Sequence, residues 1–212
     1  MSKLDEVKTA VEKGKTKLTA GLVQEALDEG LTAKEILAGM IEAMGVVGEK
    51  FSAGEIFVPE MLVAARAMSK GVEVLKPLLA TSGAESLGLC LIGTVAGDLH
   101  DIGKNLVAMM IESAGFDVID LGIDVADETF CQAVKDHPEV KLVACSGLLT
   151  TTMPSLKSAV AALNEIKPNY NFKVIVGGAP VTQAFADEIG ADGYAVDAGA
   201  AAIKAKEMVK DL

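Results

Sequence analysis

Short apolar runs and amphipathic helical segments alternate strictly through the second half of the chain. The apolar runs lie at 87–95, 116–121, 142–145, 173–176 and 194–195. Segments with helical periodicity follow them at 104–114, 128–135, 153–166, 181–189 and 200–209. Parallel strands need a crossover connection, usually a helix, so this alternation predicts a parallel sheet with helices on both faces. Five such strands predict an α/β domain of the flavodoxin-like (Rossmann-like) doubly wound type. Its ligands bind beyond the carboxyl ends of the strands.

Residues 1–84 have a different pattern, in which every periodic segment predicts a helix. Leu18, Leu22, Ala26 and Leu27 form one apolar stripe, and Thr32-Ala33-Lys34-Glu35 predicts a helix start, because it has the form of a capping box. Pro59 suits the first turn of a last helix and Pro77 is expected to end it. Four short amphipathic helices predict an N-terminal four-helix bundle.

The residues of the segment Thr81–Ser86 are mostly small and polar, which is typical of a linker. The predicted domains are therefore a bundle at 1–84 and an α/β domain at 85–212.

Charge and cysteine content restrict the partners and the compartment. The chain has 19 Lys and Arg against 30 Asp and Glu, a net charge of -11. Because a duplex-binding surface must be basic, we expect no nucleic-acid partner. No apolar run reaches the roughly 18 residues of a membrane-spanning helix, and no apolar signal-peptide stretch is evident. Cys90, Cys131 and Cys145 form no close pair, so we expect free thiols in a cytoplasmic protein.

The loop after the first predicted strand reads Gly97-Asp98-Leu99-His100-Asp101-Ile102-Gly103-Lys104-Asn105. It differs from a phosphate-binding P-loop, because five residues separate the glycines and Asn105 replaces the magnesium-binding hydroxyl. A nucleotide hydrolase is therefore excluded. What remains is a histidine two residues after an aspartate, and metal-bound histidines usually donate their other N–H to a carboxylate. Taken alone, such a pair is more often a capping or surface pair.

Other polar residues give weaker signals. Asp120, Asp124 and Asp127 follow the second predicted strand and could bind a cation, although solvation is the default for loop residues of this kind. His137 precedes Pro138 in a polar turn and is typical of a surface residue.

Three short motifs in chain order resemble a known fingerprint. They are Asp98-x-His100-x-x-Gly103, Ser146-x-Leu148 and Gly177-Gly178. Together they resemble the cobalamin-binding fingerprint of methionine synthase, the B12 mutases and the corrinoid proteins of methyltransferase systems. Residues 97–107 and 176–182 are similar to the methyltransferase corrinoid proteins in particular. Residues 1–80 resemble the helical cap of that family, so the resemblance covers nearly the whole chain.

The resemblance implies a cofactor site that centres on His100. In this family a histidine replaces the benzimidazole of cobalamin, or of a related corrinoid, as the lower cobalt ligand (base-off, His-on). By resemblance, His100 is the metal ligand, Asp98 hydrogen-bonds to it, and Thr152 closes the relay where the family has a Ser or Thr. The resemblance assigns further cofactor contacts to Leu99, Asp101, Ile102, Gly103, Ser146, Leu148, Thr150, Gly177 and Gly178.

Residues 51–60 resemble the cap motif of the same family. There, Phe51 and Val58 would lie over the upper face of the cobalt and shield the methyl group. The alternative is that both side chains belong to the core of the bundle.

The function that the resemblance implies is methyl transport on a cobalt that cycles between methyl-Co(III) and Co(I). A substrate-specific methyltransferase would load a methyl group from a methylated amine, methanol, a betaine or an aryl methyl ether. A second methyltransferase would pass it to a thiol or a tetrahydrofolate-type acceptor, and a reductive activase would restore the cofactor. Such a protein is a methyl-carrying subunit rather than a complete enzyme.

Two alternatives share the cobalamin motif. One is a B12-dependent sensor or regulator, which the absence of Trp and the charge of -11 argue against. The other is the small subunit of a B12 mutase, which does not need the helices predicted in residues 1–80.

Overall fold

A computed structural model describes residues 2–82, 86–210 and 212. The chain divides into two compact units near residue 85, and the short segment Ser113–Gly115 groups with the first of them. The first unit is helical and the second contains a β-sheet. Among the described residues, no helix is long and apolar enough to cross a bilayer.

Four helices form the first unit: α1 (Lys3–Glu12), α2 (Thr16–Asp28), α3 (Ala33–Ser52) and α4 (Val58–Ser82). The predicted capping box at the start of α3 is confirmed. Thr32 Oγ1 accepts a hydrogen bond from Glu35 N (3.2 Å), and Glu35 Oε2 accepts one from Thr32 N (2.9 Å). Two amide donors that a helix start leaves without intrahelical partners are thereby satisfied.

Three expectations for the helical unit are wrong. The helices are not uniformly short, since α3 has 20 residues and α4 has 25. Pro77 does not end α4, which continues to Ser82. A proline removes one intrahelical hydrogen bond, and a long helix with a buried face can continue past it. Two residues of the predicted linker, 81 and 82, belong to α4, and residues 83–85 lie outside the described residues.

The buried face of α2 matches the predicted stripe only in part: Ala26 is buried as expected, while Leu22 and Leu27 are partly buried. Thr19, Val23 and Ala26 are buried, whereas Leu18 is 56% exposed. Thr19 can occupy a core position because its hydroxyl donates to Lys15 O (3.0 Å) within the same helix. The apolar pattern alone therefore misplaces part of this face.

The second unit is the predicted flavodoxin-like doubly wound domain. Its strands are β1 (Leu89–Thr94), β2 (Asp117–Asp120), β3 (Val140–Ser146), β4 (Lys173–Gly177) and β5 (Gly193–Ala195). All pairings are parallel and the order is β2-β1-β3-β4-β5. The helices that follow the strands are α5 (Ile102–Ser113), α6 (Asp127–Asp136), α7 (Met153–Ile166), α8 (Gln183–Glu188) and α9 (Ala198–Val209). Cys90 lies in β1, Cys131 in α6 and Cys145 in β3, and all three are free.

The register of the sheet aligns the strand ends that precede the predicted site. Thr94 pairs with Ser146, Ser146 pairs with Gly177, and Gly177 pairs with Ala195. The chain order reverses at β1, because β2 lies on one side of it and β3 on the other. The loops after β1 and β3 therefore leave the sheet at the crevice where this fold binds ligands.

Candidate functional site

Asp98 is a fully buried carboxylate that joins the loops after β1 and β3. Its Oδ1 accepts from His100 N (3.1 Å) and lies 2.7 Å from His100 Nδ1. Its Oδ2 accepts from Leu148 N (2.7 Å) and from Thr152 Oγ1 (2.9 Å). Burial alone would raise the pKa of Asp98, but the hydrogen bonds from Leu148, His100 and Thr152 lower it to about 2. Asp98 is therefore ionised at neutral pH.

The charge on Asp98 fixes the state of the histidine ring. An ionised carboxylate can only accept hydrogen bonds, so His100 Nδ1 must be the donor in their contact. In a neutral imidazole this arrangement leaves the lone pair on Nε2, across the ring. The His100 side chain is 48% exposed while Asp98 is 0% exposed. The buried aspartate thus holds an accessible imidazole in the tautomer that a metal ligand needs.

Thr152 is the side chain that completes the network around Asp98. It is buried, and its hydroxyl also lies 3.0 Å from Leu149 O in the turn Thr150–Thr152 before α7. The hydroxyl of Thr152 therefore reaches Asp98 as a serine hydroxyl could.

The other predicted contact residues in this unit lie at the same edge of the sheet. Leu99, Ile102 and Leu148 expose apolar side chains there (68%, 74% and 36%). Ser146 and Gly177 end β3 and β4. Asp101 and Thr150 are exposed in the adjoining loops, and Gly178 is partly exposed. The structure therefore brings these residues to one edge, and their contacts with a cofactor stay a prediction.

Two glycines of the motif have different surroundings. A Cβ on Gly103 would meet nothing within 4 Å, so a side chain there would project into open space. A Cβ on Gly178, whose φ is +135°, would lie 1.9 Å from Gly147 O. Gly178 is therefore required by the close approach of two loops of the protein itself, whatever it does toward a ligand.

Three further residues lie at or beside the loop after β1, and the sequence motifs do not assign them to the site. Thr94 Oγ1 donates to His100 O (2.9 Å). Asp124 has a φ of +52°. Its Oδ1 accepts from Gly97 N (2.6 Å), and its own N donates to Asp98 O (3.0 Å). Lys104 is buried at the start of α5 and pairs with Asp120.

The sequence motifs point to only some of these residues. Lys104 belongs to the segment that partly resembles a P-loop, but in the structure its side chain is buried and pairs with Asp120. Asp120, Asp124 and Asp127 each accept a hydrogen bond, from Lys104, Gly97 and Ser158 respectively. Within the residues described, no group of three or more His, Cys, Asp or Glu could hold a metal ion. The alternative of a cation site at these aspartates therefore receives no support.

Phe51 and Val58 belong to the helical unit. Phe51 lies in the last turn of α3, Val58 begins α4, and both are partly exposed. Neither is a fully buried core residue. Their predicted position over the cofactor stays a prediction.

The site fits the cofactor that the motifs imply. A corrinoid is a broad ring with apolar faces and amide side chains at its rim, and its cobalt can bind an imidazole nitrogen. The structure offers an oriented imidazole with a lone pair on Nε2. Beside it are the exposed side chains of Leu99, Ile102 and Leu148, with Ile123, Leu149 and Val196 also exposed at this edge. An exposed apolar group of this kind is typical of a ligand site.

Comparisons with known proteins support the same cofactor. Residues 88–205 match the B12 binding domain family, and residues 3–76 match a second family with the description B12 binding domain. Dimethylamine corrinoid protein 1 of Methanosarcina acetivorans is 42% identical over 208 residues, which cover 98% of this chain and 92% of the relative. Trimethylamine corrinoid protein 2 of Methanosarcina mazei is 44% identical over 197 residues, covering 91% and 89%.

Solved structures show the same fold. The crystal structure of a cobalamin-binding protein from Desulfitobacterium hafniense superposes with a TM-score of 0.82 at 30% identity, covering 97% of this chain and 98% of that one. The methanol:cobalamin methyltransferase complex of Methanosarcina barkeri contains a chain that superposes with a TM-score of 0.79 at 27% identity, covering 99% and 80%. With both family matches and this likeness along nearly its whole length, the chain belongs to the B12-binding corrinoid proteins of methyltransferase systems.

Proposed function

We propose that this protein carries a methyl group on a corrinoid that it binds base-off and His-on, with His100 as the lower ligand. The single observation that carries the proposal is the hydrogen-bond network of Asp98, His100 and Thr152, which fixes the tautomer of the histidine. When bound, the corrinoid supplies a cobalt centre that accepts and gives up a methyl group.

The residues of the chain bind the corrinoid and keep one proton at Nδ1 of His100. Asp98 holds the proton on His100 Nδ1, and Thr152 and Leu148 hold Asp98. Nε2 is thereby left as the ring nitrogen with the free lone pair, the atom that can bind the cobalt.

We assign the remaining predicted contacts in the same way. Residues 85–212 are the corrinoid-binding domain, with Ser146, Thr150, Gly177 and Gly178 toward the displaced nucleotide tail. The exposed apolar side chains at the strand ends pack against the ring and exclude water. Residues 1–84 are the cap, in which Phe51 and Val58 shield the methyl group.

The names of the relatives favour a methylated amine as the methyl donor. Two of them are dimethylamine and trimethylamine corrinoid proteins, and a structural neighbour belongs to a methanol:cobalamin methyltransferase complex. We propose a substrate-specific amine methyltransferase as the first partner. A second methyltransferase that acts on a thiol or a tetrahydrofolate-type acceptor takes the methyl group, and a reductive activase restores Co(I).

An absorbance spectrum tests the histidine ligand. The protein is refolded with hydroxocobalamin and desalted, and wild type is compared with His100→Ala. The matched control is His137→Ala, which removes the only other histidine. We expect wild type and the His137 variant to retain one corrinoid with a His-ligated spectrum. The His100 variant should lose the corrinoid or show a base-off spectrum. If it retains the wild-type spectrum, the proposal fails.

A further inference from the structure

The main chain of His100 is attached to the sheet as well as to Asp98. Its N–H donates to Asp98 Oδ1, the same atom that contacts its ring nitrogen Nδ1. Its carbonyl accepts a hydrogen bond from Thr94 Oγ1, at 2.9 Å. Two of the three contacts therefore converge on one oxygen atom, and only the contact with Thr94 is independent of it.

This geometry gives the Thr94 contact a distinct role. Contacts that meet at one atom let the attached residue pivot about that atom, so Asp98 alone would not define the direction of Nε2. A third point of attachment, at the carbonyl of His100, removes the pivot. The loop between Thr94 and His100 turns at Gly97, whose φ is +81°, and Asp124 holds it at Gly97 N and at Asp98 O. None of these loop contacts reaches His100 itself, so they do not replace the contact with Thr94.

Thr94 is well placed to serve as a fixed point. It is the last residue of β1, and only 1% of it is exposed. Its N donates to Gly122 O (3.0 Å), and its O accepts from Val125 N (2.9 Å). On the other side it pairs with Ser146 of β3. The main chain of Thr94 is thus held on one side by the segment after β2 and on the other by β3, which fixes the position from which its hydroxyl donates.

We propose that Thr94 is a positioning residue for the corrinoid ligand: its hydroxyl fixes the carbonyl of His100 and thereby the direction of Nε2. This inference rests on the proposed role of His100. The competing explanation is that the hydroxyl only satisfies a carbonyl at the strand end and contributes to folding. The two explanations differ in what removal of the hydroxyl does to ligation.

The test compares variants that differ in the hydroxyl. Thr94→Val keeps the shape and deletes the donor, and Thr19→Val deletes an equally buried hydroxyl in the helical unit, where Oγ1 donates to Lys15 O. Thr94→Ala and Thr94→Ser form a second pair. Both variants lack the γ-methyl group of threonine, and they differ from each other only in the hydroxyl. The readouts are the fraction of bound hydroxocobalamin with a His-ligated spectrum, its dissociation rate after desalting, and the thermal midpoint of the apoprotein.

We expect Thr94→Val to release the corrinoid roughly three- to tenfold faster than wild type, the range of one net hydrogen bond, with a larger base-off fraction. Thr19→Val should bind like wild type although its thermal midpoint falls similarly. Thr94→Ser should bind like wild type and Thr94→Ala like the Val variant. Wild-type ligation in Thr94→Val, or equal ligation in the Ala and Ser variants, overturns the proposal. If Thr94→Val does not fold, the Ala and Ser pair decides.

A measurement without the cofactor separates this proposal from the proposed function. In the apoprotein, the His100 Nδ1 proton should give an NMR resonance protected from exchange by Asp98, and Thr94→Val should broaden or abolish it. If wild type shows no His-ligated corrinoid, the proposed function fails while this comparison still tests Thr94. If wild type is His-ligated and the NMR signal and spectrum of Thr94→Val are unchanged, only the inference about Thr94 fails.

Discussion

At the scale of single residues, Asp98 links the stability of the fold to the state of the site. Its pKa is about 2, below the ordinary value of 3.8. A carboxyl whose pKa is lower in the folded state stabilises the fold above the unfolded pKa, and this contribution is lost as the pH falls toward 2. A shift of this size corresponds to about 2 kcal/mol at neutral pH.

Asp98→Asn should therefore destabilise the apoprotein most at neutral pH. We expect a loss of about 2–4 kcal/mol in the free energy of unfolding at pH 7, because the amide cannot accept all the hydrogen bonds that Asp98 accepts. The difference from wild type should shrink between about pH 5 and pH 2. Urea unfolding at several pH values measures it, with the exposed Asp187, replaced by Asn, as the control. A difference that does not depend on pH would contradict the lowered pKa.

The residues that could be predicted from the sequence are those whose roles follow from a local motif. Asp98 and His100 are two positions apart, and Thr152 was identified by the resemblance to a family. Thr94 and Asp124 could not be found in this way. Thr94 contacts the main chain of His100, which no side-chain motif shows, and Asp124 follows β2 while the loop it contacts follows β1. Lys104 gave a misleading signal, since its neighbours resemble a phosphate loop while burial pairs it with Asp120.

At the scale of elements, the sequence predicted the order and type of the strands, and α7 has the predicted bounds. Apolar runs between helical segments suffice for this, because a parallel sheet buries both faces of its strands. The errors occurred where packing overrides a local pattern. A proline at position 77 did not stop a long helix, and a threonine at position 19 took the buried place expected for a leucine.

The loops after the strands lead to a prediction about Gly103 and Gly178. Gly178→Ala should destabilise the apoprotein by about 2–4 kcal/mol, because its Cβ would overlap Gly147 O at a φ of +135°. Gly103→Ala should leave the apoprotein as stable as wild type or slightly more stable, since it lies in α5 with open space at the Cβ. Thermal unfolding distinguishes the two variants.

Corrinoid retention extends this comparison to function. If Gly103 leaves room for the nucleotide tail, Gly103→Ala should fold normally and release hydroxocobalamin faster than wild type. Equal stability losses in the two variants would contradict the structural difference between the glycines. Normal corrinoid retention in Gly103→Ala would remove Gly103 from the predicted cofactor contacts.

At the scale of the whole molecule, the proposed function assigns different tasks to the two units. The α/β unit contains the histidine network, and the helical unit contains the two predicted shielding residues. On this proposal a methyl group on the corrinoid needs a cover between transfers, and the helical unit, with the 20-residue α3 and the 25-residue α4, would supply it.

The shielding role of the helical unit can be tested with light. Bound methylcobalamin loses its methyl group on illumination, and a close cover slows the escape of the methyl radical. We expect Phe51→Ala to accelerate photolysis several-fold, because it removes a large apolar side chain from the predicted cover. Phe57→Ala is the matched control, since Phe57 lies six residues later and is 67% exposed. Photolysis is followed by absorbance under fixed illumination, with corrinoid content and thermal midpoint checked for each variant.

Equal photolysis rates in wild type and Phe51→Ala would show that Phe51 does not shield the methyl group. Equal acceleration by the two variants would show that the effect comes from loosening the connection between α3 and α4 rather than from a specific contact.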